Sequence, residues 1–272
     1  MSRNRPLRRG GGRQFDDPRP AFATLTLNRP ASGNAVDLSM AQALRDAADR
    51  CDMDPAIRCV VLTGQGKLFC GGGDIAGFAA AADRVPAFLN TLAGTLHLAL
   101  SRLMRMRKPL VTLVNGPAAG AGLSLAITGD IVLAARSAHF TAAYGSIGLS
   151  PDGGMSWHLP RLVGMRRAQE MIIGNRRVSA DEAERIGLVT RTVADADLAI
   201  EGAAQAASLA AAATTAIGEA RNLLLDSYDG PFERQLGRET RSITASGGTA
   251  ECREGVRAFL EKRKPDFMNA AG

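Results

Sequence analysis

Two short segments combine glycine with the end of an apolar run. These are "FCGGGD", Phe69 to Asp74, and "NGPAAGAGLSLA", Asn115 to Ala126. Consecutive glycines give up more backbone freedom on folding than any other residues, so such runs need a reason. One chemical reason is access. Backbone N–H groups at a loop or a helix N-terminus are unsatisfied and carry the positive end of the dipole, and a ligand oxygen reaches them where no side chain intervenes. Two such donors from separate loops would form an oxyanion hole. Neither segment fits GxGxxG, and the chain has no GxxxxGK[ST] phosphate loop and no GxSxG nucleophile elbow. Tight turns and helix–strand packing are the structural alternative for each loop.

Other chemistry-bearing residues are sparse. The four cysteines, Cys51, Cys59, Cys70 and Cys252, form no CxxC pair, and His97, His139 and His158 lie far apart. Neither a metal site nor a disulfide framework is indicated, and a reducing cytoplasm fits this usage. Asp152 lies in "GLSPDGG", where Pro-Asp-Gly is by itself a strong turn sequence.

The elements that must position these residues follow from periodicity. "AFATLTL" (21–27) reads as a strand, and Asp37 as the N-cap of a helix carrying Leu38, Ala41, Leu44 and Ala48 at helical spacing. "CVVLTG" (59–64) and "PLVTLVNG" (109–116) are strands that each end in glycine. Between them, 86–106 is a long helix with Leu89, Leu92, Leu96, Leu100 and Leu103 on one stripe. A short buried helix over 120–130 and a strand "IVLAA" follow, and "AHFTAA" extends or pairs with that strand. The recurrence suggests stacked β/α turns: an α/β core over 20–194 followed by an alanine-rich helical region over 195–272. The alanine faces of that region suit either the core or another subunit.

Bulk properties agree with a globular chain. Of 272 residues, 46% are hydrophobic and 22% charged, enough to bury a sizeable core. The net charge of +6 is concentrated in residues 1–19, with six Arg against two Asp. That stretch reads as a disordered tail, with no nucleic-acid partner expected. No apolar run reaches a membrane span, so no membrane partner is expected either.

Six segments, in order, carry a resemblance: "LTLNRPASGNAVDL", "VVLTGQGKLFCGGGDI", "KPLVTLVNGPAAGAGLSLA", "GLSPDGGMSWHLPRLVG", "SADEAERIGLVTRTV" and "EGVRAFLEKRKPDF". From about Ala21 to Phe267 the chain is similar to the crotonase superfamily, the enoyl-CoA hydratase/isomerase family. The resemblance implies a spiral of ββα turns with C-terminal helices, homotrimers or hexamers, an acyl-CoA thioester substrate, no metal, and coenzyme A present only as part of that substrate. By position it makes the backbone N–H groups of Gly73 and Ala121 the oxyanion donors, with Ala121 standing where glycine is usual. It places CoA contacts at Ala35, Gly71, Asp74, Ile75, Phe259 and Lys262, the last of these a phosphate ligand that could reach a neighbouring subunit.

The same resemblance locates the departure that matters most. Ser124 and Tyr144 stand where hydratases hold two glutamates, and neither is a carboxylate base. Asp152 matches the single carboxylate of enoyl-CoA isomerases and the nucleophile of a dehalogenating branch. His97 and Tyr144 match positions that are catalytic in that branch, while His97 beside the Leu96–Leu100 stripe also reads as pocket-lining. The expectation is double-bond isomerisation of a 3-enoyl-CoA with Asp152 as base. Hydration, hydrolysis or dehalogenation, and non-catalytic acyl-CoA binding, are the alternatives.

Overall fold

The computed structural model describes residues 21–270; the basic tail expected over 1–19 lies outside them. The chain runs β1 (Phe22–Leu27), α1 (Leu38–Met53), β2 (Cys59–Gly64), α2 (Ile75–Ala81), α3 (Val85–Arg105), β3 (Leu110–Val114), β4 (Ala118–Ala119), α4 (Ala121–Ala126), β5 (Ile131–Ala135) and β6 (His139–Thr141). It continues through α5 (Met155–Val163), α6 (Met165–Ile173), β7 (Val178–Ser179), α7 (Ala180–Arg185) and β8 (Arg191–Val193). It closes with α8 (Leu198–Ala210), α9 (Thr214–Asp226), α10 (Phe232–Gly247), α11 (Ala250–Leu260) and α12 (Phe267–Ala270).

Five strands form one parallel sheet in the order β1-β2-β3-β5-β8. The run Cys59–Leu62 is apolar throughout because both faces of β2 are covered. Val60 and Leu62 join a core shared with α1 and α3, whereas Cys59 and Val61 join a second core with Leu198, Ala206 and Ala210 of α8. Asp37 caps α1, accepting from Met40 N–H at 2.7 Å. The leucine stripe of α3 buries Leu92, Leu96, Leu100 and Leu103.

Strand β6 departs from expectation. It does not pair with β5 but lies parallel to β4 and antiparallel to β7 in a separate three-stranded sheet. The hydrogen bond from Ala138 N–H to Ala135 O turns the chain out of the first sheet just before β6. This second layer puts the end of β6 beside Gly120 and so sets the next turn against α4.

The alanine-rich stretch forms two helices, α8 and α9. Arg58 caps the end of α8, donating to the carbonyls of Ala210 and Ala212 at 2.7 and 2.8 Å. Glu251 accepts from Thr215 N–H at 3.0 Å at the start of α9 and pairs with Arg58 at 3.2 Å. A buried ion pair thus takes up the backbone groups exposed by the break. Arg221 then ties α9 to the core through Asp130 at 2.7 Å and the carbonyls that end α3. Among the described residues no helix is long and apolar enough to cross a membrane.

Candidate active site

The glycine loops meet. Gly72 has φ +103°, a left-handed backbone that favours glycine, and a methyl group there would lie 3.0 Å from the Ala119 carbonyl oxygen and 3.7 Å from Ala121 N. Gly73 faces the ring of Phe78, and a Cβ would fall 2.7 Å from Cζ. Gly122, in the first turn of α4, sits against the Cys70 carbonyl, where a Cβ would be only 2.1 Å away. These glycines let two backbones touch. Among the described residues, no intrachain group accepts from the N–H of Gly73 or of Ala121. Ala121 is the first residue of α4, so its N–H has no helical acceptor to begin with.

Both amides border a cavity of about 400 Å³. Phe78, Leu89, Leu92, Ala93 and Leu96 form one wall, and Ala143 to Leu149 with Ser150 and Asp152 another. Asp152 is the only acidic residue lining it among the described residues. Phe88 lies behind Phe78 in an edge-to-face contact at 5.9 Å, and Trp157 points elsewhere, stacked near His158 and under Arg161.

Asp152 sits in a compact polar cluster. Its Oδ1 accepts from the Tyr144 hydroxyl at 2.6 Å, and its carbonyl accepts from Ser124 Oγ at 3.0 Å. Its Oδ2 lies 3.7 Å from His97 Nε2. That nitrogen also accepts from Gly153 N–H at 3.0 Å, which requires an unprotonated Nε2. The hydrogen bond is the shorter and better-defined contact, so the partner of His97 Nε2 is the Gly153 amide and not the Asp152 carboxylate. Burial, and then the Asp152 carboxylate, push the Tyr144 phenol well above its ordinary range, so Tyr144 stays protonated and remains a donor. Ser124 and Tyr144 therefore converge on Asp152, and neither supplies a second carboxylate.

Cys70 lies in the glycine loop but is not a nucleophile. It is fully buried, its thiol approaches Asn34 O at 3.1 Å, and burial pushes its pKa up to about 11.

The proposed CoA contacts divide into two places. Gly71 and Ile75 line the cavity mouth. Asp74 caps α2 and pairs with Arg29 at 3.0 Å, and Arg29 also donates to the Ala35 carbonyl at 2.5 Å. These polar atoms are already engaged within the chain. Phe259 is 83% exposed at the end of α11, with Lys262 just beyond, and neither lines the cavity of its own chain. Two supporting residues have little sequence signal. Asn34, fully buried with φ +55°, donates to the carbonyls of Gln65, Leu68 and Phe69. Asn175 reaches the Ala143 turn from the α6–β7 loop. A left-handed Asn is the one available hint in both cases.

A parallel sheet wound with helices, followed by C-terminal helices, and two glycine loops presenting free amides to an apolar cavity define the class: a crotonase-fold protein. Residues 19–270 match the family model described as enoyl-CoA hydratase/isomerase, and the chain belongs to that family, which acts on CoA thioesters. It is 39% identical over 246 residues to a probable enoyl-CoA hydratase of Rhodobacter capsulatus, covering 90% of this chain and 94% of that one. It is 37% identical over 258 residues to the 1,2-epoxyphenylacetyl-CoA isomerase of Escherichia coli, with coverage of 90% and 94%. Among solved structures, a putative enoyl-CoA hydratase/isomerase from Mycobacterium abscessus superposes with a TM-score of 0.87 at 33% identity, over 93% of this chain and 98% of that one.

Proposed function

We propose that the protein isomerises 3-enoyl-CoA to 2-enoyl-CoA thioesters through an enolate, with Asp152 as the base. The observation that carries this reading is that, among the described residues, one carboxylate alone, Asp152, faces the cavity bordered by two unpartnered amides. In this reading the thioester oxygen accepts from Gly73 and Ala121, and negative charge gathers there as a C2 proton leaves. Asp152 Oδ2 takes that proton and returns it at C4. One positioned base suffices, whereas hydration must also hold and activate water. With Ser124 and Tyr144 in place of a carboxylate pair, water activation has no second acid.

The apolar wall from Phe78 to Leu96 receives the acyl group, the backbone around Gly71 and Ile75 receives the adenine of CoA, and Ala35 is a further backbone contact to CoA, sharing its carbonyl with Arg29. Lys262 beside Phe259 meets phosphate across a subunit contact. That assignment needs a homotrimer or hexamer, consistent with the exposed apolar residues Phe232, Leu236, Ile243, Phe259 and Leu260 on the C-terminal helices. We assign this chemistry to the cytoplasm.

The test is a thioester panel assayed with wild type and Asp152→Asn. Loss of a general base is expected to cost about 10²–10⁴ in kcat. A mutant that turns over 3-enoyl-CoA at the full rate removes Asp152 from the mechanism. Binding of thioesters without any reaction would instead support a binding-only member. A second reading rests on His97, 3.7 Å from Asp152 Oδ2: it activates water for hydrolysis or displacement once its Nε2 gives up the Gly153 N–H. Release of free CoA thiol, abolished in His97→Gln, would favour it.

A further inference from the structure

Tyr144 donates to one oxygen of Asp152, and the turn that carries Tyr144 is itself clamped from a distance. The 3-10 turn Tyr144–Ile147 begins at Ala143, which adopts φ +64°, a left-handed conformation unfavourable for alanine. The Ala143 N–H donates to Asn175 Oδ1 at 2.7 Å, and Asn175 Nδ2 donates to Ser146 Oγ. One carboxamide thus holds both ends of the turn, from a loop that lines no part of the cavity. Asn175 is itself left-handed at φ +50°. Beyond the turn, Tyr144 Oη meets Asp152 Oδ1 at 2.6 Å, while Ser124 fixes the Asp152 carbonyl and His97 fixes the Gly153 amide.

We propose that Asn175 is a positioning residue for the reaction: through the Ala143–Ser146 turn and Tyr144 it fixes Oδ1 of Asp152, so that Oδ2 alone works on the substrate. The inference rests on the isomerase reading above. Its consequence is isotopic. The proton removed from C2 resides on Oδ2, and with Oδ1 held the carboxyl group does not rotate, so the same proton is returned to C4 on the same enolate. Release of the turn frees the carboxyl group, whose side chain is 31% exposed, to rotate and exchange its proton with water.

The experiment compares wild type, Asn175→Gly, Asn175→Asp and Tyr144→Phe as full-length protein in D₂O with a 3-enoyl-CoA. Glycine accepts a left-handed backbone without cost, so Asn175→Gly deletes the carboxamide and little else. Aspartate accepts from Ala143 N–H as Asn does, and the Ser146 hydroxyl can donate to its carboxylate. Asn175→Gly and Tyr144→Phe are expected to lower kcat by about 10- to 100-fold with KM within roughly threefold, the scale of a misplaced catalytic group. Both should raise solvent deuterium in product per turnover, and Asn175→Asp should restore kcat and isotope retention. Wild-type kcat and isotope retention in Asn175→Gly would overturn the proposal, as would Asn175→Asp and Asn175→Gly being equally impaired. If Asp152→Asn itself keeps full rate, it is the base assignment that fails, which separates the two claims.

Discussion

The cavity has two walls built by opposite means. The amide wall is held backbone to backbone. Val36 N–H donates to Gly72 O at 2.7 Å, Asp74 N–H to Val36 O at 3.0 Å, Gly71 N–H to Gly33 O at 2.9 Å, Ala119 N–H to Cys70 O at 3.0 Å and Gly120 N–H to Thr141 O at 3.1 Å. The acid wall adds side chains to its backbone turn bonds: Tyr144, Ser124, His97 and Asn175 all converge on the segment that carries Asp152 or on its supporting turn. The difference teaches a division of labour. A wall of amides polarises a carbonyl whatever side chains surround it, provided that glycines keep the approach clear. A wall of side chains is rewritten one residue at a time. In the proposed reading, the thioester oxygen is thereby a fixed point of the fold, while the reaction at C2 and C4 is set by replaceable groups.

The comparison breaks most visibly at Gly122. A valine there would force its Cβ into the Cys70 carbonyl, 2.1 Å away, with the Cys70 Cβ at 2.8 Å. Neither neighbour is the loose end of a flexible chain, so the two loops must part. Gly122→Val should cost 4 kcal/mol or about that in stability and abolish turnover together with acyl-CoA binding. Thermal melting and calorimetric binding read both losses. A variant with wild-type melting temperature and affinity would show that close approach of the loops is not what builds the amide wall.

An intermediate effect separates the walls by pH. His158 lies on α5, which begins three residues after Asp152, and its N–H donates to Gly154 O at 2.9 Å. Burial, and then the Arg161 cation, lower its pKa from 6.5 to about 4. The folded protein therefore favours neutral His158, and the unfolded chain binds its proton first as pH falls. The contribution to stability is complete above pH 6.5 and is lost progressively down to about pH 4. At pH 5 this amounts to about 2 kcal/mol relative to pH 8. Urea denaturation across that range should show the slope, and His158→Gln should flatten it. An equal slope in the mutant would assign the acid sensitivity elsewhere.

How much of this was legible in the sequence follows from the same division. The amide wall was readable because it depends on glycines after apolar strands, and both loops stand where periodicity put them. The leucine stripe gave the apolar wall for a similar reason: Leu92 and Leu96 face inward at helical spacing, and Leu89 joins them at the cavity. Asp152 stood out by its position in the family pattern, since Pro-Asp-Gly alone reads as a turn. Asn175 was invisible, because a polar residue in a loop announces no partner thirty residues away in sequence. The pairing of β6 was misread for a related reason: strand patterns identify the strand but not its neighbour, and a three-residue strand carries little register information. The break between α8 and α9 was masked by the alanines of 210–213, which are good helix formers. It is set by Arg58 and Glu251, which are distant in sequence.

The finest test of the side-chain wall is Ser124. Tyr144 has one proton to donate, and it goes to Asp152 Oδ1 at 2.6 Å, not to the Asp152 carbonyl at 3.4 Å. Ser124 Oγ at 3.0 Å is therefore the close side-chain donor to that carbonyl, beside the Met155 N–H at 3.1 Å. Ser124→Ala leaves that carbonyl with the Met155 N–H as its close donor and also removes an atom that packs against Gly153, whose own φ is +61°. The backbone of residues 152–153 is expected to loosen while the carboxylate keeps its bond to Tyr144. The loss of one such hydrogen bond is worth about 1 kcal/mol, hence a fall in kcat of roughly fivefold with KM unchanged. Stopped-flow turnover and equilibrium binding measure the two separately. A rise in KM with kcat intact would place Ser124 in substrate binding and not in the support of Asp152. A loss as large as that of Asp152→Asn would give Ser124 a direct part in proton transfer, and the acid wall would then hold two working groups in place of one.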